Sequence, residues 1–75
     1  MAVVFGALVP QVADIARVIE AEFREMPGMR LTGAQIQRMW NLSGEMCGMV
    51  LDQMCRTGQL VRDGTGQYFR GQDEY

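Results

Sequence analysis

The side chains able to do chemistry in this 75-residue chain are two cysteines, seven arginines and nine carboxylates. Histidine is absent, and Cys47 and Cys55 do not form a Cys-x-x-Cys pair, so no metal site is expected. On one helix their separation of eight residues is a rise of about 12 Å, whereas a disulfide needs Cα atoms within about 7 Å. The spacing therefore predicts two reduced thiols, with Cys47 in the core.

Catalysis is not predicted from these residues. The cysteines have no general base near them in the sequence, and the scattered glycines do not form a phosphate-binding loop. The run Gly64-Thr65-Gly66 lies at a predicted hairpin tip, not between a strand and a helix. A chain this small also has little room for a substrate pocket. We expect neither catalytic residues nor a cofactor.

Length and charge limit the partners of the chain. It is long enough for one domain, and its net charge of −2 disfavours strong DNA binding, because phosphate neutralisation supplies much of that affinity. The longest apolar stretch runs from Met1 to Val9 and is far shorter than the ~20 residues of a membrane span. It also lacks the features of a signal peptide. We therefore expect no membrane association and a cytoplasmic location.

Helical periodicity predicts a first helix over residues 11–26, with Pro10 in its first turn and Pro27-Gly28 at its end. Apolar residues at spacings of three and four mark its buried stripe: Val12, Ile15, Ala16, Ile19, Phe23 and Met26. Thr32-Gly33-Ala34-Gln35 matches a capping box and begins a second helix that ends near Trp40. Ile36, Met39 and Trp40 are predicted on its inner face, with the Trp40 ring in the core.

A tight turn then leads to a third helix. Asn41 tolerates the left-handed conformation that ends a helix, and Ser43 is an N-cap residue. The predicted buried stripe of this helix is Cys47, Val50, Leu51 and Met54, and Gly58 is its stop signal. Residues 60–62 and 67–69 flank Asp63-Gly64 and read as a β-hairpin, to which residues 29–31 add a third short strand or a loop.

The stretch from Leu31 to Arg70, "LTGAQIQRMWNLSGEMCGMVLDQMCRTGQLVRDGTGQYFR", resembles the winged helix-turn-helix superfamily of bacterial regulators. The hydrophobic positions of the two-helix motif are occupied by Ile36, Trp40, Leu42, Cys47 and Val50. The family often has a small residue in place of Gln37 and glycine in place of Asn41. The resemblance implies a mainly α fold with a small β-hairpin, a three-helix winged helix-turn-helix. The alternative is a plain three-helix bundle with a disordered tail.

The resemblance also implies that helix three enters the major groove of double-stranded DNA, as in a transcriptional regulator. The side chains expected at the DNA are Ser43, Gln53, Arg56, Arg62 and Arg70, with Arg30 and Arg38 beside them. Glu45 and Asp52 on the same helix would repel phosphates. This leaves a second interpretation open, a winged-helix protein-protein interaction module that does not bind DNA.

The chain divides into an apolar segment (residues 1–9), the winged helix-turn-helix domain (residues 10–70) and a polar tail (residues 71–75). The apolar segment has no obvious place in a minimal core of this kind. If exposed, it would form a patch that small monomers seldom tolerate. We therefore expect a homodimer through this segment. The alternatives are that the segment folds back on helix one or is disordered.

Overall fold

The computed structural model describes the backbone of residues 3–71 and the side chains of residues 11–71. The helices are α1 (Val3–Glu25), α2 (Gly33–Met39) and α3 (Gly44–Arg56), and the strands are β1 (Leu31–Thr32), β2 (Leu60–Arg62) and β3 (Gln67–Arg70). The strands form one antiparallel sheet in the order β1-β3-β2. The predicted fold class, mainly α with a small β-hairpin after a helix-turn-helix, is confirmed.

Helix α1 begins much earlier than the sequence predicted. It starts at Val3 instead of residue 11 and runs through Pro10, so residues 3–9 are the first turns of α1 and do not precede it. A proline inside a helix removes one hydrogen bond, to the carbonyl four residues before it, here that of Gly6. The helix continues past Pro10 despite this lost hydrogen bond. Its 23 residues rise about 34 Å, which accounts for the elongated shape of 44 × 21 × 21 Å.

The start of α2 and the turn to α3 follow the predicted local chemistry. Gln35 N donates to Thr32 Oγ1 at 3.1 Å and Thr32 N donates to Gln35 Oε1 at 2.8 Å, which completes the capping box. Asn41 has a φ of 54°, the left-handed conformation expected after α2. Met46 N donates to Ser43 Oγ at 3.0 Å, so Ser43 is the N-cap of α3.

The predicted hairpin also forms, with its second strand one residue longer than predicted and ending at Arg70. Leu60, Val61 and Arg62 oppose Arg70, Phe69 and Tyr68 respectively, and the third strand is β1, at residues 31–32. Gly58 has a φ of 80°, which a side chain would disfavour, and it turns the chain from α3 into β2. The predicted tail beyond Gly71 lies outside the described residues.

The core lies between α1, α2, α3 and the base of the hairpin. Its fully buried large side chains are Phe23, Ile19, Ile36, Met54, Leu60 and Val50. The predicted buried stripe of α3 is confirmed, because Cys47 and Leu51 are buried beside Val50 and Met54. From the hairpin, Tyr68 packs against this core, and Phe69 is buried, at 5% exposed.

Three predicted core residues at the ends of helices lie elsewhere, and Ile15 is half-buried and packs against the core from outside. Met39, in the last turn of α2, is 53% exposed, and Met26, one residue past the end of α1, is 55% exposed, because each lies where its helix leaves the core. Trp40 is half-buried and packs at the rim of the core as the C-cap residue of α2. The core therefore ends one turn earlier on both helices than the apolar pattern predicted.

In the part of the chain that the structure describes, no helix has the length and apolar character to span a bilayer.

Candidate nucleic-acid interface

A groove of about 430 Å³ runs between α3 and the hairpin. We call the hairpin (residues 60–70) the wing and this groove the α3–wing groove. The groove is lined by Gln37, Gly44, Cys47, Gly48, Leu51, Asp52, Cys55, Arg62 and Tyr68. Gly44 and Gly48 lie one helical turn apart, and a Cβ on Gly48 would meet no atom within 4 Å. A bulky ligand can therefore approach the backbone of α3 closely on this side.

Arginine and amide groups border this groove. Arg62 lies at the end of β2, and its Nη2 is 3.7 Å from the position that a Cβ on Gly66 would occupy. Gln37 also lines the groove, and Arg38 follows it in the exposed last turn of α2. Within residues 11–71, Arg38 and Arg62 make no ion pair, so their charges are available to an anionic ligand.

Two other predicted arginines are placed differently. Arg56 is 79% exposed, and its Nη2 lies 3.1 Å from Asp52 Oδ2 one turn earlier on α3. Such an exposed ion pair contributes little to stability, so Arg56 can readily leave Asp52 to bind a phosphate. Arg70 is half-buried at the end of β3, opposite Leu60. Asp52 therefore competes with any phosphate for Arg56, a pairing that the sequence interpretation did not predict.

Ser43 and Gln53 contribute less than expected. The Ser43 hydroxyl already accepts the Met46 amide as the N-cap of α3, so part of its hydrogen-bonding capacity is used within the fold. Gln53 is exposed, but it lines a different hollow with Arg17 and Gln59, between α1 and α3. The structure brings Arg62 to the α3–wing groove and does not bring Gln53 there.

Arg30, expected beside the DNA-binding arginines, is engaged within the fold. Its Nη1 donates to Asp63 Oδ2 at 2.9 Å, and its Cζ lies 4.1 Å from the centroid of the Phe69 ring. The two partners of the ion pair are 33 residues apart in the sequence. Sequence reasoning missed both this contact and the part of Gln37 in the groove, because no local pattern signals contacts between distant residues.

Charge is segregated along the fold. Residues 11–29 hold two arginines and four carboxylates, a balance of −2, and residues 72–75 add two more carboxylates. Residues 30–71 hold five arginines against three carboxylates, a balance of +2. The net charge of −2 therefore conceals a positive helix-turn-helix and hairpin joined to an acidic α1. This distribution removes much of the objection that net charge raised against DNA binding.

The two cysteines are free thiols. Cys47 is buried and lies 3.7 Å from the Gly33 carbonyl oxygen through its Sγ, and burial raises its pKa. Burial raises the pKa of Cys55 as well, and nearby Asp52 adds to that effect while Arg62 opposes it. Both groups are therefore protonated at neutral pH and weak as nucleophiles. No group of three or more potential metal ligands occurs among the described residues.

A second, smaller hollow of about 190 Å³ lies between α1 and the turn after α2. Ile15, Val18, Trp40 and Leu42 give it an apolar lining, and Asp14 stands at its edge. Val18 is 53% exposed. This apolar surface carries none of the arginines discussed above.

Comparisons with known proteins do not assign the chain to a family. No protein-family model, no curated protein and no solved structure matches it.

Proposed function

We propose that this chain is a winged helix-turn-helix domain of a cytoplasmic transcriptional regulator and that it binds double-stranded DNA mainly through phosphates. The contacts come from the end of α2, the C-terminal half of α3 and the wing. Arg38 and Arg62 make the main contacts, and Arg56 and Arg70 make additional ones. Ser43 and Gln53 are the remaining polar groups offered by α3, so the chain has few base-reading side chains and its sequence preference is weak.

The observation that carries this proposal is the positive balance of residues 30–71, with Arg38 and Arg62 unpaired among the described residues. Phosphate contacts from arginine supply most of the affinity in sequence-independent binding. The groove between α3 and the wing offers open space beside Gly48, so a DNA strand can lie close to Arg62. Glu45 lies in the first turn of α3 and forms no ion pair with another described residue, so it limits affinity at that end.

The test compares two double variants in a fluorescence-anisotropy titration of a random-sequence duplex at 50 mM salt. Arg38→Gln/Arg62→Gln removes two charges from the proposed interface, and Arg17→Gln/Arg24→Gln removes two from α1 as the matched control. We expect affinity to fall about tenfold or more in the first and by less than about twofold in the second, because only the first loses phosphate contacts.

A third variant tests the same interface in the opposite direction. Glu45→Lys replaces a repulsive charge at the DNA-facing end of α3 and should tighten non-specific binding. Glu45 suits this test better than Asp52, whose replacement would also release Arg56. Equal losses in both double variants would show that only overall charge matters, and no binding by any of the proteins would refute the proposal.

A second candidate function, a protein-protein interaction module without DNA binding, is favoured by the apolar hollow at Trp40. Its lining and the exposed Val18 and Met39 are the features of a protein contact, not of a phosphate contact. The DNA titration separates the two candidates. A wild-type protein and a Glu45→Lys variant that both leave the duplex unbound at low salt would favour the protein-interaction module.

Self-association through the N-terminal segment is part of the proposal. Residues 3–9 are apolar or glycine and form the beginning of α1, so two copies can pair these helical turns. We expect sedimentation of the full chain at about 50 μM to give twice the 8.4 kDa chain mass. Deletion of residues 1–9 should give a folded monomer, because Pro10 then occupies the first helical turn, where its missing N–H costs nothing.

A full-length substitution controls for the shortened helix. Leu8→Lys keeps the chain length and places one charge in the apolar segment, so it should also yield a monomer. A monomeric wild type, or a dimer that survives both changes, would exclude association through this segment.

A further inference from the structure

The wing is tied to the rest of the domain by a residue far from it in the sequence. Arg30 lies between α1 and β1, and its guanidinium reaches two places on the wing. Nη1 donates to Asp63 Oδ2 at 2.9 Å, just past the end of β2, and Cζ lies 4.1 Å from the centroid of the Phe69 ring in β3. One side chain therefore contacts both the turn of the hairpin and its second strand.

Asp63 in turn organises the tip of the wing. Its Oδ1 accepts the Thr65 amide at 2.9 Å, the Thr65 hydroxyl at 2.7 Å and the Gln67 amide at 3.0 Å. These bonds, with a smaller contribution from Arg30, lower the pKa of Asp63, so the carboxylate is ionised at neutral pH. One carboxylate oxygen shapes the turn and the other binds it to Arg30.

The same contact governs the charge at the wing tip. Asp63 is the one carboxylate between β2 and β3, close to where Arg62 would meet a phosphate. While paired with Arg30, the Asp63 carboxylate is largely neutralised. Without Arg30 it would present an uncompensated negative charge to the DNA backbone and weaken binding.

We propose that Arg30 is a positioning residue for nucleic-acid binding: it fixes the wing through Phe69 and Asp63 and neutralises Asp63, without itself contacting phosphate. This inference rests on the proposed function for its effect on DNA. The anchoring of the wing stands on the contacts alone and is measurable without DNA.

The first experiment measures amide hydrogen exchange by NMR in the free, full-length protein. Arg30→Gln is compared with Arg24→Gln, which removes the same charge from an exposed ion pair on α1. We expect exchange at Thr65 and Gln67 to rise about fivefold in Arg30→Gln, because a stacking contact and a partly exposed ion pair are lost, with amides of α3 unchanged. Arg24→Gln should change none of them.

The second experiment repeats the random-sequence duplex titration over a range of salt concentrations. Arg30→Gln should lower the affinity about fivefold to tenfold while leaving the slope of log K against log salt as in the wild type, because no phosphate contact is lost. Arg30→Gln/Asp63→Asn removes the exposed carboxylate as well and should regain part of that affinity. Arg30→Lys keeps the charge and should lie between the wild type and Arg30→Gln.

The outcomes separate the inference from the proposed function. Unchanged exchange at the wing amides in Arg30→Gln would overturn the anchoring role, whatever the DNA result. A salt slope reduced by about one would show that Arg30 contacts a phosphate directly and would also overturn the proposal. Wing amides that exchange faster in a protein whose wild type binds no duplex would refute DNA binding, and the positioning role with it, while confirming the anchor.

Discussion

Phe23→Ala is expected to leave the domain largely unfolded at 25 °C. Phe23 is fully buried on the face of α1 that packs into the core, together with Ile19 and Val12. Truncating a buried phenylalanine costs about 3–5 kcal/mol, through the lost transfer energy and the cavity left behind. A domain of this size has on the order of 5 kcal/mol of stability, so little would remain. Circular dichroism during thermal and urea unfolding would measure the loss.

Two further truncations provide a comparison for the stability loss expected in Phe23→Ala. Trp40→Ala removes a larger side chain, but from a half-buried position at the rim, so its loss should be smaller than that of Phe23→Ala. Val18→Ala, at a site 53% exposed, should change stability by less than about 0.5 kcal/mol. A Trp40→Ala protein as unstable as Phe23→Ala would place the tryptophan in the core after all.

The parts of the fold that local chemistry decides were predicted from sequence. The Thr32 capping box, the Ser43 cap and the left-handed Asn41 each depend on atoms within three or four residues. The hairpin follows from the turn at Asp63-Gly64 and the strand residues that flank it, although its register, with Leu60 opposite Arg70, is one residue away from the predicted pairing. For these elements the competing conformations are few and a short stretch of sequence distinguishes them.

Features that depend on how far one helix packs along its neighbours, such as burial at a helix end, were not predicted. The apolar pattern of α2 includes Met39 and Trp40, yet the helix passes the edge of the core at its last turn, leaving one exposed and the other half-buried. Likewise, Pro10 was read as the start of a helix that in fact begins at Val3. Periodicity shows which face of a helix is apolar, but not how much of its length has something to pack against.

The site was only partly predicted, for the same reason. The sequence named Arg62 and Arg56, but not the pairing of Arg56 with Asp52 or the binding of Arg30 to Asp63. Whether an arginine is available to DNA depends on the carboxylates that the fold brings near it. Composition therefore overestimated the set of free cations and, through the net charge of −2, underestimated their local excess.

The affinity for duplex DNA is expected to fall steeply with salt. Each phosphate contact adds about −0.9 to the slope of log K against log salt, so contacts by Arg38, Arg56, Arg62 and Arg70 give about −3.6. A rise from 50 to 200 mM salt would then weaken binding about 150-fold. Anisotropy titrations at four salt concentrations with one random duplex measure this slope.

The value of the slope also shows how many arginines contact the DNA phosphates. If Arg56 keeps its ion pair with Asp52 and Arg70 does not reach the DNA, only Arg38 and Arg62 contribute, the slope is about −1.8 and the same salt step costs about 12-fold. Asp52→Asn separates the two cases, because it frees Arg56 and should steepen the slope by up to about one where the pair had competed. A slope near zero with measurable binding would mean that the duplex is held without these arginines, which would contradict the proposed interface.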